Sequence, residues 1–323
     1  MRDEEIVAEV EAAEGRIRPH IRETPLERSP FLSASSGAEV FLKLENQQLT
    51  GSFKLRGAMN KFLSLSESER SRPVVTASSG NHAAAVAYTL TEFGGRGVIY
   101  LPENVSKAKV EALSPYGAEL RFVGRDSVVG ELEAKKTARE EGWTYVSPYS
   151  DPKVIGGQGT IAVEIERQGD PIDAIFVPVG GGGLIAGIAG YLKARDPSVR
   201  VIGCQPEKSQ VMAESIRAGE ILQIESEPTL ADGTAGGLDP EAITFPICRR
   251  VVDELVALSE AEIASAMRFT LEKHCMLIEG AAALSVAAFL REPGTWRGKT
   301  VVLVVSGKKV SLETLRRVLA GDV

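Results

Sequence analysis

The sequence predicts an α/β protein built on a parallel β-sheet, and three observations carry that expectation. Apolar strand-like runs alternate with helix-period segments from about Glu39 to the end of the chain. Most of these runs are continuous in Val and Ile instead of alternating with polar residues, which suits strands buried on both faces. Strand–helix alternation in turn requires right-handed crossovers between parallel neighbours.

The elements follow in order. Strand-like runs occupy residues 40–45, 73–78, 97–102, 118–124, 144–149, 174–180, 199–205 and 300–307. Helical periodicity marks 81–93, 127–142 and 259–275. No composition break divides the chain, but the strand pattern from Pro73 to Tyr149 suits a small sheet of its own, inserted in a larger one. A length of 323 residues has room for two such lobes.

Composition narrows the function classes. The formal net charge is −7 and no Lys/Arg block tracks a phosphate backbone, so no nucleic-acid partner is expected. The N-terminal MRDEEIVAEVEAAEG is acidic and amphipathic, unlike a signal peptide, and no apolar run reaches membrane-spanning length; a cytoplasmic location is the default expectation. Cys204, Cys248 and Cys275 are scattered and odd in number, giving neither a disulfide framework nor zinc spacing. His20, His82 and His274 form no ligand pair, so no histidine-built metal site is expected and hydrolase triads have little to work with. Hard chemistry in this chain would come from a cofactor.

Four stretches carry the chemistry. In LTGSFKLRGAMNKF, Thr50, Gly51 and Ser52 read as a turn with a helix N-cap, and Phe53 onward as helix. Lys54 then falls in the first turn, where the helix dipole disfavours a cation and lowers its pKa. A neutral amine is what a carbonyl-capturing nucleophile needs, although position alone favours a solvated surface lysine. In TASSGNHAAAVAY a strand ends at Ser78-Ser79-Gly80-Asn81 and a helix begins, which suits either a carboxylate or phosphate site or simple capping. In FVPVGGGGLIAGIAG, Gly180, Gly181, Gly182 and Gly183 follow a buried strand and open an apolar helix. Such a loop wraps its N–H groups round a phosphate, and with no Lys or Arg the anion would be held by main-chain dipoles. Tight helix–sheet contact accounts for one or two of these glycines but not four. A dinucleotide fingerprint also fits Gly181, Gly183 and Ala186 with Glu207 as the acid, but past mid-chain instead of in the first βα unit. Last, VVLVVSGKKV places Ser306 at a strand end, and Glu279 precedes a small-residue helix whose N-terminus it would favour.

Taken together and in this order, ENQQLTGSFKLRGA, TASSGNHAAAVA, VIGGQGTIAVEI, PVGGGGLIAGIA, LIEGAAA and VVSG resemble the fold type II pyridoxal-phosphate enzymes, in the threonine/serine dehydratase and serine racemase branch. The resemblance covers nearly the whole chain. It implies a two-lobed fold, with residues 1–68 and 152–323 as a large parallel-sheet domain and 69–151 as an inserted smaller α/β domain. Lys54 resembles the Schiff-base lysine and Phe53 the residue packing beside the ring. Asn81 is similar to the residue bonding the ring hydroxyl, Gly180 to Gly183 with Leu184 to the phosphate loop, and Ser306 to the serine at the pyridine nitrogen. Glu279, in LIEGAAA, is expected at the cofactor. Ser78, Ser79, Gly80, Asn81 and His82 resemble the loop gripping the substrate carboxylate, and Ser79 falls where racemases keep a second acid/base.

The resemblance implies a cycle in which the substrate amine displaces Lys54, and Lys54 then removes the α-proton. The β-hydroxyl leaves, and the released enamine hydrolyses to a 2-keto acid and ammonia. A hydroxyl at the pyridine nitrogen makes a weaker electron sink than a carboxylate, which favours prompt loss of a β-substituent. A homodimer is implied in the same way. Two departures stand out. The family's Ser-Gly-Gly-Asn is here Ser306-Gly307-Lys308-Lys309, and the positions of a divalent-cation site in racemase-like members are Gln205, Ser209 and Val211, so no metal is expected there. Residues 231–256 also resemble dehydratases linked to hydroxyectoine breakdown. The leading expectation is thus a dehydratase of L-threonine, L-serine or a related 3-hydroxy-amino acid. A racemase, a β-replacement synthase, a non-catalytic binding protein and a nicotinamide dehydrogenase are the alternatives.

Overall fold

Ten strands form two separate sheets in the computed structural model, which describes residues 1–105, 107–125 and 127–322. The strands are β1 (Leu26–Arg28), β2 (Glu39–Lys43), β3 (Val74–Ala77), β4 (Gly97–Leu101), β5 (Glu119–Phe122), β6 (Thr144–Tyr145), β7 (Ala174–Pro178), β8 (Arg200–Pro206), β9 (Glu254–Leu258) and β10 (Thr300–Val304). The larger sheet has the order β1-β2-β10-β7-β8-β9, and the smaller β5-β4-β3-β6. Every pairing is parallel except β1 with β2. The continuous apolar runs lie where burial on both faces puts them: all of β3 and β7 is buried, and so is β10 after Thr300.

All eight expected strands are present. Two more, β1 and β9, escape the sequence reading. Both are edge strands: LER is mostly polar, and ELVAL opens on an exposed glutamate and is only partly buried before Leu258. The four consecutive strands β3 to β6 make up the smaller sheet, while the larger draws on chain to either side of them.

Helix Pro152–Gln168 is the hub that sets the lysine segment in place. Asp151 caps it, accepting from the N–H groups of Lys153 and Val154, with Pro152 in the first turn. It packs against helices Asp3–Ile17, Lys54–Leu63 and Gly183–Arg195. Its glycines permit that approach: a Cβ on Gly157 would lie 2.5 Å from the Arg56 carbonyl oxygen, and one on Gly159 2.9 Å from that of Gly187.

Beneath this contact lies a cluster of buried charges. Arg56 is fully buried and donates to Glu45 (Nε–Oε2 2.8 Å, Nη2–Oε1 2.8 Å), Glu164 (Nη1–Oε1 2.7 Å, Nη2–Oε2 2.8 Å) and Thr160 Oγ1 (3.0 Å). Lys43 Nζ fills its three donor positions with Thr24 O, Glu164 Oε2 and Gln168 Oε1 at 2.7, 2.6 and 2.9 Å. Arg18 reaches Glu164 from the rim. Among the described residues no helix is long and apolar enough to cross a membrane.

Candidate active site

The expected site residues converge at the C-terminal ends of parallel strands, where open α/β sheets leave a crevice. Ser78–Asn81 follow β3, Pro148 and Tyr149 follow β6, Gly180–Gly183 follow β7 and Ser306 follows β10. Contacts link them in a ring. Lys54 Nζ donates to the Pro148 carbonyl at 2.7 Å, and Tyr149 lies against Gly181 and Gly183. Gly180 abuts Thr234, and Gly233 abuts Glu279. Glu279 accepts from Asn81, and a Cβ on Gly307 would lie 2.5 Å from Glu279 Oε1. Phe53 N–H donates to Ser306 O at 3.1 Å, which closes the ring beside Lys54.

Lys54 is the first residue of helix Lys54–Leu63, and its Nζ lies 5.2 Å from the Phe53 ring centroid. Ser52 is not the N-cap that the sequence suggests: the helix has no side-chain cap, and Ser52 instead bridges to Gly307 with its hydroxyl buried and unpartnered. The lysine's pKa is lowered to about 8 as expected, but burial of the ammonium is the largest cause, partly offset by the charges of Glu131 and Glu279.

Helix Asn81–Glu92 likewise starts without a side-chain cap, because Ser78 Oγ accepts from Gly80 N–H at 3.2 Å and the Asn81 amide points to Glu279. The capping alternative for this stretch therefore fails. Its first N–H groups have no intrahelical acceptor, and Asn81 Oδ1 is buried without a partner. His82 Nε2 pairs with Val146 O at 3.0 Å while its buried Nδ1 has no partner. Burial and then the nearby Lys54 charge push His82 down to about 3, so the ring is neutral throughout the working pH range.

The glycine loop corrects one expectation, since packing constrains all four residues and not one or two. A Cβ would lie 2.9 Å from Thr234 O at Gly180, 2.4 Å from Tyr149 Cγ at Gly181, 2.7 Å from Met212 Cε at Gly182, and 2.9 Å from Tyr149 Cα at Gly183. Gly182 also has φ +82°, which disfavours any side chain. The same packing turns the loop's donors one way. Thr244 Oγ1 donates to Gly181 O at 2.7 Å, and Cys248 Sγ sits 3.7 Å from Gly182 O. In a trans peptide the following N–H points opposite its carbonyl, so the Gly182 and Gly183 N–H groups face away from these partners. Helix Gly183–Arg195 has no side-chain cap either.

Several participants carried no sequence signal. Pro148 contributes a carbonyl, Thr244 and Cys248 orient the loop from a distant helix, and Glu131 places its charge near Lys54, Tyr145 and Tyr149. Glu279 is the N-cap residue of helix Gly280–Arg291 yet does not cap it; its carboxylate turns to Asn81. Ion pairs Lys135–Asp239 and Lys109–Asp232 tie helices flanking the smaller sheet to the loop that carries Gly233 and Thr234. Gln205, at the position compared with a cation site, uses its side chain internally: Oε1 accepts from Ala213 N–H at 3.0 Å and Nε2 lies 3.5 Å from Ser209 O. Among the described residues no group of three or more His, Cys, Asp or Glu is placed to hold a metal.

A lysine of lowered pKa, two uncapped helix starts and unpartnered buried acceptors make a site for an anionic, carbonyl-bearing cofactor. The class is a cofactor-dependent enzyme. Residues 17–307 match the family described as pyridoxal-phosphate dependent enzyme, and the chain belongs to that family. It is 40% identical over 311 residues to the L-threonine ammonia-lyase of Thermotoga maritima, covering 96% of this chain and 77% of that one. It is also 40% identical over 317 residues to the catabolic L-threonine dehydratase of Staphylococcus aureus, covering 97% and 91%. Among solved structures, maize serine racemase superposes with a TM-score of 0.90 at 33% identity, over 98% of this chain and 97% of that one. The cofactor is pyridoxal 5'-phosphate, and the residues present fit it: an amine for its carbonyl carbon, helix-start N–H groups for its phosphate and Asn81 for a ring substituent. The dinucleotide reading of the glycine loop falls with this result.

Proposed function

We propose that this enzyme is a dehydratase, or ammonia-lyase, that converts a small 3-hydroxy-amino acid such as L-threonine or L-serine to a 2-keto acid and ammonia. The observation that carries the reading is Lys54, a lysine of lowered pKa between the Phe53 ring and the Pro148 carbonyl. The names of the Thermotoga and Staphylococcus relatives support the reaction class.

Pyridoxal phosphate, when bound, supplies the electron sink that stabilises a carbanion at the substrate Cα. The chain's residues do the rest. With a pKa of about 8, Lys54 is neutral for about a tenth of the time at pH 7, enough to capture a carbonyl and then serve as base at Cα. Phe53 would pack against the cofactor, and Gly180, Gly181, Gly182, Gly183 and Leu184 would hold its phosphate through main-chain N–H groups. Ser306 would offer a hydroxyl to its pyridine nitrogen, and Asn81, with Glu279 behind it, would meet a ring substituent. Ser78, Ser79, Gly80, Asn81 and His82 hold the substrate carboxylate at the start of helix Asn81–Glu92.

A racemase is the second reading, favoured by the likeness to maize serine racemase and by the partly exposed Ser79 at the substrate loop. The two are separated by incubating the enzyme with L-serine and L-threonine and measuring keto acid beside D-enantiomer. Keto acid should dominate; D-enantiomer in excess overturns the dehydratase reading. A panel of further 3-hydroxy-amino acids, hydroxyectoine-derived ones included, then ranks substrates. The reading extends to residues 69–151 as a small domain within a large domain of 1–68 and 152–323, and to a cytoplasmic homodimer.

A further inference from the structure

Glu279 is a buried carboxyl group whose partners leave its proton undecided. It is 5% exposed, and both of its oxygens lie within hydrogen-bond reach of Asn81 Nδ2, at 2.9 and 3.0 Å. Oε2 also accepts the Lys309 backbone N–H at 3.0 Å. Among the described residues no lysine or arginine forms an ion pair with it within 4.0 Å. The Asn81 amide is therefore spent on one side only. Its Nδ2 faces Glu279, while Oδ1, buried and unpartnered, is the end left for a ligand. An asparagine amide has a donor end and an acceptor end, and a half-turn about its last bond exchanges them.

We propose that Glu279 is a positioning residue whose protonation state decides which end of the Asn81 amide faces the cofactor. This rests on the proposed placement of Asn81 at the cofactor's ring hydroxyl. As a carboxylate, Glu279 takes the NH₂ group, and Oδ1 is left to accept from a ring hydroxyl that keeps its proton. As a carboxylic acid, Glu279 donates its O–H to Oδ1, which turns the NH₂ group toward the ring oxygen, now an acceptor. The second arrangement holds one proton more than the first, taken from solvent onto Glu279, so pH sets the balance between them.

The electrostatics favour a switch over a fixed state. Burial pushes Glu279 up to about 7; the Asn81 bond opposes this, Asp232 adds to it, and the Lys309 N–H and ammonium oppose it. Lys54 is the other charge that faces it, from the helix behind the site, and Asp232 is itself paired with Lys109. A buried acid caught between these charges titrates in the working range of the enzyme.

The test uses apoenzyme titrated with pyridoxal phosphate between about pH 5.5 and 8.5, reading dissociation constant and absorption spectrum of the bound cofactor. Wild type should show a spectral transition with its midpoint near 7, absent in E279Q, whose side chain has no proton to lose. The ratio of the two dissociation constants should change by up to about tenfold per pH unit across that midpoint, the slope of a single linked proton. N81A carries the same expectation and serves if E279Q does not fold. The same midpoint in wild type and either variant overturns the inference while leaving the dehydratase reading intact. A wild-type protein that takes up no cofactor overturns both.

Discussion

Replacing Arg56 by Met should both destabilise the fold and weaken cofactor capture, because the guanidinium anchors the turn that presents Lys54. Arg56 lies two residues beyond Lys54, on a helix with no side-chain cap, and its N–H groups reach Glu45, Glu164 and Thr160. Methionine fills much of the volume but removes the ion-pair partner of buried Glu45, while Glu164 keeps Lys43 and Arg18. Breaking a buried pair from one side costs about 3–5 kcal/mol, since the orphaned charge keeps its desolvation penalty. At roughly 2 °C per kcal/mol for a chain of this size, that is a fall in Tm of about 6–10 °C. Urea denaturation of apoenzyme measures the loss directly, and cofactor titration tests the positioning. The E45Q/R56M double variant should recover part of the loss, because the two substitutions share one interaction.

The pH dependence has a definite sign. Burial alone would raise Glu164, but the charges and hydrogen bonds of Arg56 and Lys43 overcome it and hold the carboxyl well below the usual carboxylate range. A depressed folded pKa contributes stability above the unfolded value of about 4.5 and loses it as pH falls toward the folded one. The gap between wild type and R56M should therefore be full at neutral pH and shrink below about 4.5. A loss under 1 kcal/mol with unchanged cofactor affinity would refute the anchoring role.

Three further outcomes follow from the site. The rate of cofactor uptake by apoenzyme should rise with pH and reach half its maximum near 8, as the neutral fraction of Lys54 grows, and borohydride should fix the cofactor in wild type but not in K54A. A pH-independent uptake rate would count against Lys54 as the capturing amine. G181A presses a methyl group against the Tyr149 ring, 2.4 Å from Cγ; it should cost about 1–3 kcal/mol and weaken cofactor binding at least tenfold, with G181A/Y149A regaining part of the fold stability. S79A should abolish any D-enantiomer formed from L-serine while keto-acid output stays within about tenfold of wild type, and equal losses of both would remove Ser79 from a racemase-specific role.

What the sequence disclosed was chemistry that demands a residue type. A backbone at φ +82° wants a glycine, and a strand buried on both faces reads as Val and Ile, so Gly182, β7 and β10 were legible, as was the lowered pKa of Lys54. Edge strands make no such demand, which is why β1 and β9 were passed over. The glycine loop was legible as a motif but its cause was only half read. Its lack of side chains serves close packing against Thr234, Tyr149 and Met212 as much as N–H exposure.

Main-chain contacts leave no residue-type signal at all, and Lys309 shows why that matters. Ser306-Gly307-Lys308-Lys309 departs from the pattern Ser-Gly-Gly-Asn and places two cations directly after Ser306 and Gly307. Yet the tie from this segment to Glu279 is the backbone N–H of Lys309, which every residue except proline supplies. Lys308 N–H likewise donates to Gly51 O, and its side chain lies along Gly51. The tight position here is Gly307, where a Cβ would lie 2.5 Å from Glu279 Oε1 and displace the carboxylate, and Gly307 is present. The departure therefore spares the contacts that hold Glu279 and Asn81. What it adds is charge, since the Lys309 ammonium favours the ionised form of the acid whose proton decides how Asn81 is turned.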